Sequence, residues 1–244
     1  MNCPDKRLQA RRDLPASSER DYYTAMPAQS VSEAAFKRRE HILEVAAEVF
    51  SGRGYRRASI ADIVEKAGIA RGTFYLYFES KREVFLELIE RYFTDFAELL
   101  NENHSHLENT FRNGGNALKA WRDNVMRIMQ YHCDNPHLTS IVYREALGKD
   151  EDFSERVNEL SGLARDRLVA EFRMMEKHGM LRPCDLEIVA TIVMGSTVNI
   201  IMEHLLKESG RNLESLADEI MSYHIRALMP AGLDADRVVK IALA

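Results

Sequence analysis

Several helix boundaries fall within residues 59 to 81, and their spacing constrains the fold more than any other feature of the sequence. Ser59 precedes Asp62 by three residues, the spacing of a capping box at a helix start. Gly68 supplies the backbone freedom with which this short helix ends. Another short helix is predicted over Ala70 to Tyr77, and Ser80 is a typical N-cap for a long one after it. Two short helices joined by a tight turn predict a helix-turn-helix unit.

The rest of the chain places apolar residues at three- and four-residue steps, which indicates amphipathic helices. Further helices are predicted over residues 32 to 52, 80 to 100, 117 to 133, 135 to 147, 153 to 177, 188 to 206 and 213 to 228. The polar segment 101 to 116 is expected to form a frayed helix end and a loop. Strand patterns are scarce, so we expect an all-α fold: an N-terminal three-helix helix-turn-helix head on a larger helical body.

These patterns divide the chain into four parts. Residues 1–32 mix prolines with charges of both signs and are expected to form a disordered arm. Residues 33–82 form the predicted helix-turn-helix head, 83–230 the larger helical body, and 231–244 a C-terminal tail. The start of the chain is charged where a signal peptide is apolar, and no apolar run approaches the roughly 18 residues of a membrane span. We therefore expect a cytoplasmic protein that does not bind a membrane.

Charge is distributed unevenly along the chain. Residues 1 to 90 hold 15 basic and 14 acidic residues, a net charge of +1, whereas residues 91 to 244 hold 18 and 24, a net charge of −6. The acidic excess thus lies outside the predicted head, which indicates two parts with different partners.

The second short helix of a helix-turn-helix unit presents its N-terminal residues to base edges in the major groove. Arg71 offers two parallel hydrogen bonds to guanine, and Thr73 offers a hydroxyl and a methyl group. Gly72 lacks a side chain and lets the backbone approach the DNA closely. These three residues are the predicted base-reading positions.

Four further side chains are predicted to bind DNA phosphates. The hydroxyls of Ser59, Tyr75 and Tyr77 are suitable donors, and Lys81 combines its charge with the free amide protons of a helix start. Phe74 and the neighbouring Phe78 are expected instead to pack inside the head.

The run Ser59 to Lys81, with Gly72-Thr73-Phe74-Tyr75, Tyr77-Phe78 and Ser80-Lys81 inside it, resembles the DNA-binding head of TetR-family regulators. The resemblance covers about residues 36 to 90. It implies an all-helical homodimer whose last two long helices pair with their symmetry mates and whose body encloses a small-molecule pocket. The base-reading and phosphate-binding positions of the family fall on residues already identified by their chemistry.

Two positions depart from this family pattern. Ala70 stands where a serine N-cap is common, which removes a cap worth roughly 1 kcal/mol. Val64 stands where a small alanine is usual, which is expected to alter the crossing of the two short helices.

The effector pocket is predicted from aromatic, methionine and polar residues on the body helices, and an apolar or amphipathic ligand is expected. The predicted pocket residues are Trp121, Met126, Met129, Tyr143, Arg144, Met175, Asn199 and Glu203. The predicted dimer interface consists of Val198, Ile201, Leu205, Leu216, Ile220 and Tyr223. A two-fold dimer would place its recognition helices about 34 to 36 Å apart, one turn of DNA.

The resulting hypothesis is a ligand-responsive repressor that binds a pseudo-palindromic operator in double-stranded DNA. An activator stays open, because the sign of regulation depends on operator position, and so does a nucleoid-associated protein using the same head. An enzyme is disfavoured, since no nucleophile with an adjacent base and no phosphate-binding loop is visible. No cofactor, catalytic residue or metal is expected. The group His132, Cys133, Asp134 and His137 has donor types suited to zinc but lies at a predicted helix end.

Overall fold

The computed structural model describes residues 33–145, 151–205 and 210–243, and each regular element in these ranges is a helix. The all-α prediction is confirmed. The predicted disordered arm, residues 1–32, lies outside the described residues. The side chains of Arg144 and Leu205, two of the predicted site residues, also lie outside them.

The head consists of three helices, α1 (Glu33–Arg53), α2 (Ile60–Ala67) and α3 (Arg71–Tyr75). One face of α1, from Ile42 to Phe50, is buried and packs on α2. The remaining helices of the described ranges follow as α4 (Lys81–Arg112), α5 (Ala117–Asp134), α6 (Pro136–Glu145), α7 (Glu151–Lys177), α8 (Leu186–Ile200), α9 (Leu213–Leu228) and α10 (Ala235–Leu243). Helix α8 continues into a π-helical turn, Ile201–Leu205.

Helix α4 links head and body. Its N-terminal part packs on α1, and its length runs along α5 and α7. Helix α6 is the second link, because it packs against α1 of the head as well as α4 and α5 of the body. Helices α7 and α8 pack together, and α9 and α10 cover α5.

Two clusters of buried apolar residues form the interior. The head cluster joins the apolar faces of α1, α2 and α3 to the first turns of α4 and to Ile141 and Val142 of α6. The body cluster joins α5, α7, α8, α9 and α10, with Trp121 and Phe172 in edge-to-face contact at a centroid distance of 5.6 Å. Because α4 and α6 both contribute to the head cluster, the head cannot rotate freely on the body.

Two segments are more ordered than the sequence predicts. Helix α4 continues to Arg112, so the prediction of a frayed end and loop from residue 101 is wrong. Its one buried face continues through Leu100, Asn103 and Leu107, and a helix needs only one such face. The predicted C-terminal tail contains α10, which buries Val239 and Ala242 against the body.

Candidate DNA-binding surface and ligand cavity

The first helix of the helix-turn-helix begins at the predicted capping box. The Ser59 hydroxyl accepts a hydrogen bond from the Asp62 amide at 3.2 Å, and an Asp62 carboxylate oxygen accepts from the Ser59 amide at 2.8 Å. The same oxygen also accepts from the Ser59 hydroxyl at 2.8 Å. The serine side chain therefore serves the cap, although it lies at the exposed end of α2.

The turn between α2 and α3 depends on Gly68, whose φ of 64° lies in the left-handed region that glycine adopts without strain. Its amide donates to the Glu65 and Val64 carbonyls and ends α2. Ala70 then takes the N-cap position of α3 with extended backbone, and its side chain supplies no capping hydrogen bond. The start of α3 is consequently uncapped, as its sequence predicts.

Helix α3 presents the predicted base-reading residues to solvent. Arg71 and Gly72 are exposed and Thr73 is half-buried. The Arg71 guanidinium donates to the Tyr75 hydroxyl at 3.3 Å and lies 5.8 Å from the centre of its ring. A Cβ atom at Gly72 would meet no other atom within 4 Å, so packing within the chain does not require glycine there.

The opposite face of α3 holds it to the head. Phe74 and Phe78 are fully buried, as predicted, and the Arg39 guanidinium lies 4.6 Å from the centre of the Phe78 ring. Tyr77 is half-buried against the head cluster. Leu76, next to Tyr75, is an apolar residue that is 80% exposed, and the motif analysis does not identify it.

Lys81, a predicted phosphate-binding residue, contacts the chain itself. Its ammonium group donates to the backbone carbonyls of Tyr55 and Ala58, both at 2.7 Å, and lies 4.4 Å from the centre of the Tyr55 ring. Burial lowers the pKa of Lys81. An ammonium group has three N–H bonds, and two of them are used inside the chain, so Lys81 fixes the loop between α1 and α2 to the start of α4.

A network of charges joins α1 to α4, and no single motif in the sequence reveals it. Arg91 on α4 donates to both carboxylate oxygens of Glu40 on α1, at 2.7 Å each, and to Glu87 at 2.7 Å. Glu87 also receives two hydrogen bonds from Arg39. The Glu87 side chain is 9% exposed, which shields this network from water. It therefore fixes the orientation of the first helix of the head on α4.

A cavity of about 200 Å³ lies between the head cluster and the body cluster. Tyr92 and Phe93 of α4 and Val142 of α6 line it and belong to the head cluster. Trp121 and Val193 line it from the body cluster. The cavity wall is largely apolar, so the space suits an apolar or amphipathic molecule.

The predicted pocket residues divide between the cavity and other places. Trp121 and Tyr143 line the cavity. Met129 and Met175 are fully buried in the body cluster and Met126 is half-buried against it, so these methionines fill the core instead. Asn199 and Glu203 are exposed outside the cavity. The sequence could not separate these cases, because core methionines and pocket methionines follow the same helical spacing.

The cavity contains polar groups that the sequence analysis does not assign to the pocket. Burial raises the pKa of the Glu171 carboxyl to about 8, and the positive charge of Arg167 opposes the shift only in part. Burial also lowers the pKa of His132 to about 4. The His132 Nδ1 atom lies 3.2 Å from the Thr139 hydroxyl and 3.4 Å from the Tyr92 hydroxyl.

The predicted dimer residues also divide. Leu216 and Ile220 are buried inside the chain, so the prediction that they face a partner is wrong. Val198 and Ile201 line the cavity. Tyr223 is 64% exposed on α9.

The exposed face of α8 carries Ile188 and Ile192, 58% and 54% exposed. Within the described residues, one helix, Leu186–His204, is long and apolar enough to cross a membrane by length and composition, and 22% of it is buried. Its apolar face is thus largely uncovered in the isolated chain.

The residues considered for zinc point to different places. His132 is buried beside Tyr92, and the His137 Nδ1 atom lies 2.8 Å from the Ser51 hydroxyl of α1. Across ranges 33–145, 151–205 and 210–243, no group of three or more His, Cys, Asp or Glu side chains is arranged to hold a metal ion.

The sequence matches a family model described as bacterial regulatory proteins, tetR family, over residues 42–88. The uncharacterized HTH-type transcriptional regulator YdgC of Bacillus subtilis strain 168 is 30% identical over 204 residues, covering 80% of this chain and 95% of that protein. The probable acrEF/envCD operon repressor of Escherichia coli K12 is 25% identical over 201 residues, covering 80% and 89%.

Solved structures share the fold along most of the chain. The fatty acid degradation regulator FadR from Bacillus halodurans has a TM-score of 0.61 at 19% identity, covering 80% of this chain and 96% of that one. The SmeT–triclosan complex has a TM-score of 0.62 at 21% identity, covering 80% and 93%; SmeT is the repressor of a Stenotrophomonas maltophilia multidrug efflux pump. With a relative 30% identical over nearly its whole length and the family model matching the head, this chain belongs to the TetR family of bacterial transcriptional regulators.

Proposed function

We propose that this protein is a homodimeric repressor that a compact apolar or amphipathic ligand releases from a pseudo-palindromic operator. The observation that carries the proposal is the shared packing of cavity and head. Tyr92, Phe93 and Val142 line the cavity and also belong to the head cluster. A ligand that displaces these side chains must therefore disturb the packing that orients the head.

Two helices transmit this change. Helix α4 contributes Tyr92 and Phe93 to the cavity and carries the Glu87–Arg91 network that fixes α1. Helix α6 contributes Val142, and its His137 contacts Ser51 of α1. A ligand changes operator affinity only if it prefers one of two head orientations, so release requires that the filled cavity favour the orientation that fits DNA less well.

The head reads DNA through α3. We assign Arg71, Gly72 and Thr73 to base edges and the hydroxyls of Tyr75 and Tyr77 to phosphates. The Ser59 hydroxyl donates its one proton to the Asp62 carboxylate and is assigned to the cap of α2 instead. The exposure of Arg71, Gly72 and Tyr75 supports this assignment. Lys81 acts mainly by holding the α1–α2 loop in place.

A second copy of the chain covers the apolar face of α8. Ile188 and Ile192 on α8 and Tyr223 on α9 are exposed, and burying such a surface stabilises an isologous dimer. A two-fold dimer presents two α3 helices to successive major grooves, about 34 to 36 Å apart. Contact with a second copy of the chain explains the apolar composition of α8, so a membrane is not needed to explain it.

The names of similar proteins support repression and an apolar ligand. The E. coli relative is named a probable acrEF/envCD operon repressor, and SmeT, a repressor, was solved with triclosan. FadR of Bacillus subtilis was solved with stearoyl-CoA. We assign no catalytic residue to this chain.

DNA recognition is tested by selecting duplexes from a randomised library with the purified protein. We expect enrichment of a pseudo-palindrome, with weaker binding and relaxed sequence choice for Arg71→Ala. Arg173→Ala, an exposed arginine on α7, is the matched control and should select the same sequence. Salt-sensitive binding without any enriched sequence would instead indicate a nucleoid-associated protein. Placing the selected site upstream of, or across, a promoter then separates activation from repression.

A further inference from the structure

Glu171 on α7 places a carboxyl group in the wall of a largely apolar cavity. It is 5% exposed and forms no hydrogen bond or ion pair with any described residue. Arg167, one turn earlier on the same helix, instead directs its Nε–H to the Asn101 side-chain oxygen at 2.9 Å. A buried carboxyl without a partner destabilises the folded chain unless it stays protonated or gains a partner.

Asn103 on α4 adds a second unpaired acceptor to the same cavity. Its Nδ2 atom donates to the Asn124 carbonyl at 3.1 Å, but its buried Oδ1 atom has no hydrogen-bond partner among the described residues. The Asn124 Nδ2 atom and the Thr197 hydroxyl of the wall are paired within the chain. The cavity wall therefore presents the Glu171 carboxyl and the unpaired Asn103 Oδ1 atom to a ligand.

Aromatic rings surround this space. The rings of Tyr92, Phe96, Trp121 and Tyr143 all contribute to the cavity wall. Ring faces carry partial negative charge and attract cations. Sites for drug-sized ligands typically measure about 300 to 1,000 Å³, so a cavity of about 200 Å³ favours a compact ligand.

We propose that the effector of this cavity is a compact protonated amine with an apolar body, whose ammonium group pairs with Glu171 while the Oδ1 atom of Asn103 accepts a second donor of the ligand. The inference rests on the proposed function in taking this cavity as the effector site. The apolar and aromatic wall binds the body of the ligand, and Glu171 distinguishes an amine from an alcohol or an acid of the same shape.

This assignment gives binding a pH dependence. With its pKa at about 8, Glu171 of the free protein is mostly protonated at pH 6 and must lose its proton to pair with an ammonium group. Amine binding should therefore tighten as the pH rises from 6 to 8, a range in which a simple amine stays protonated, since its pKa lies near 10. The other ionisable groups of the wall are Arg167, His132, Tyr92 and Tyr143, and burial keeps the last three neutral in this pH range.

The chain offers a direct probe of occupancy, because its single tryptophan is Trp121 in the cavity wall. Three compounds of one shape, 4-phenylbutylamine, 4-phenylbutanol and 4-phenylbutanoate, are titrated at pH 8 while Trp121 emission is followed. We expect the amine to bind at least about tenfold more tightly than the other two, a difference of about 1.4 kcal/mol.

Two variants test the role of Glu171. Glu171→Gln should lose the preference for the amine and its pH dependence, whereas Glu176→Gln, an exposed glutamate on the same helix, should keep both. Folding is checked by thermal unfolding at pH 8. Glu171→Gln should unfold at an equal or higher temperature there, because stability from the protonated carboxyl declines as the pH rises from about 4.5 through 8.

Three outcomes overturn the inference: unchanged amine affinity in Glu171→Gln, tighter binding of the acid or the alcohol, or no response of Trp121 to any of the three compounds. Tighter binding of the acid would identify Arg167 as the partner and leave the proposed function intact. Failure of the proposed function has a separate signature, since loss of sequence-selective DNA binding does not alter the amine titration.

Discussion

Gly72 occupies a position in α3 where nothing within the described chain requires a glycine. A side chain there would meet open space, and the φ of Gly72 is not positive. Glycine within a helix destabilises it by roughly 0.5 to 1 kcal/mol relative to alanine. This openness supports the proposal that Gly72 lets DNA approach the backbone of α3 closely.

Replacing this glycine should separate stability from DNA binding. Gly72→Ala is expected to raise the free energy of unfolding by roughly 0.5 to 1 kcal/mol and to weaken binding to the selected duplex by about tenfold. Denaturant unfolding and fluorescence anisotropy measure the two effects. Gly162→Ala, at a similarly open helical position on α7, should gain stability without losing affinity. Equal duplex affinity of Gly72→Ala and the unchanged protein would contradict the assignment.

Individual residues also show where sequence reasoning reaches its limit. The capping box of Ser59 and Asp62 is local, so its spacing alone was sufficient to predict it. Lys81 contacts carbonyls more than twenty positions earlier in the chain, and such a contact depends on how α1 and α4 pack. Glu171 has the same limit, because an acidic residue on an amphipathic helix is ordinarily solvated.

Helix α3 is short and its N-terminus lacks a side-chain cap. Ala70→Ser should supply the missing hydrogen bond and raise the free energy of unfolding by about 1 kcal/mol. Denaturant unfolding measures the gain. Ala61→Ser, an exposed position inside α2, is the control and should be neutral or slightly destabilising. If Ala70→Ser leaves the free energy of unfolding unchanged, the missing cap does not limit the stability of α3.

A second prediction concerns the charge network that joins α1 to α4. Glu87→Gln removes the carboxylate shared by Arg39 and Arg91, leaving two half-buried guanidinium groups with fewer acceptors. We expect a loss of about 1 to 3 kcal/mol in the free energy of unfolding together with weaker duplex binding, since α1 loses its fixed orientation. The control is Glu98→Gln, an exposed glutamate on the same helix. Unaltered stability and DNA affinity in Glu87→Gln would exclude this role for the network.

The helices and the starts of α4 and α9 were predictable from the sequence, whereas the C-terminal end of α4 and the surfaces against which the helices pack were not. Apolar spacing and caps located the start of α4 at Ser80 and of α9 at Asn212. The extension of α4 to Arg112 escaped prediction because its polar residues hide a narrow buried face containing Leu107. Leu216 and Ile220 were predicted to face a partner, yet the same apolar spacing serves equally well to bury them inside the chain.

For the whole molecule, the exposed apolar face of α8 predicts a dimer that a charge should disrupt. Ile192→Asp is expected to shift the protein to monomer in sedimentation velocity and to weaken binding to a pseudo-palindromic duplex, because one head alone reads only half the site. Ile241→Asp on α10, with a similarly exposed side chain, should remain dimeric. A persistent dimer of Ile192→Asp would place the interface elsewhere.

Coupling between cavity and head is a property of the whole molecule, because the cavity lies between the two apolar clusters and shares Tyr92, Phe93 and Val142 with the head. It is tested most directly by measuring affinity for the selected duplex with the cavity empty and filled, using any compound that changes Trp121 emission. The account predicts a fall in duplex affinity of about 5- to 150-fold, matched by an equal fall in compound affinity when duplex is bound. A compound that saturates the cavity, as judged by Trp121 emission, and leaves duplex affinity unchanged would contradict this account.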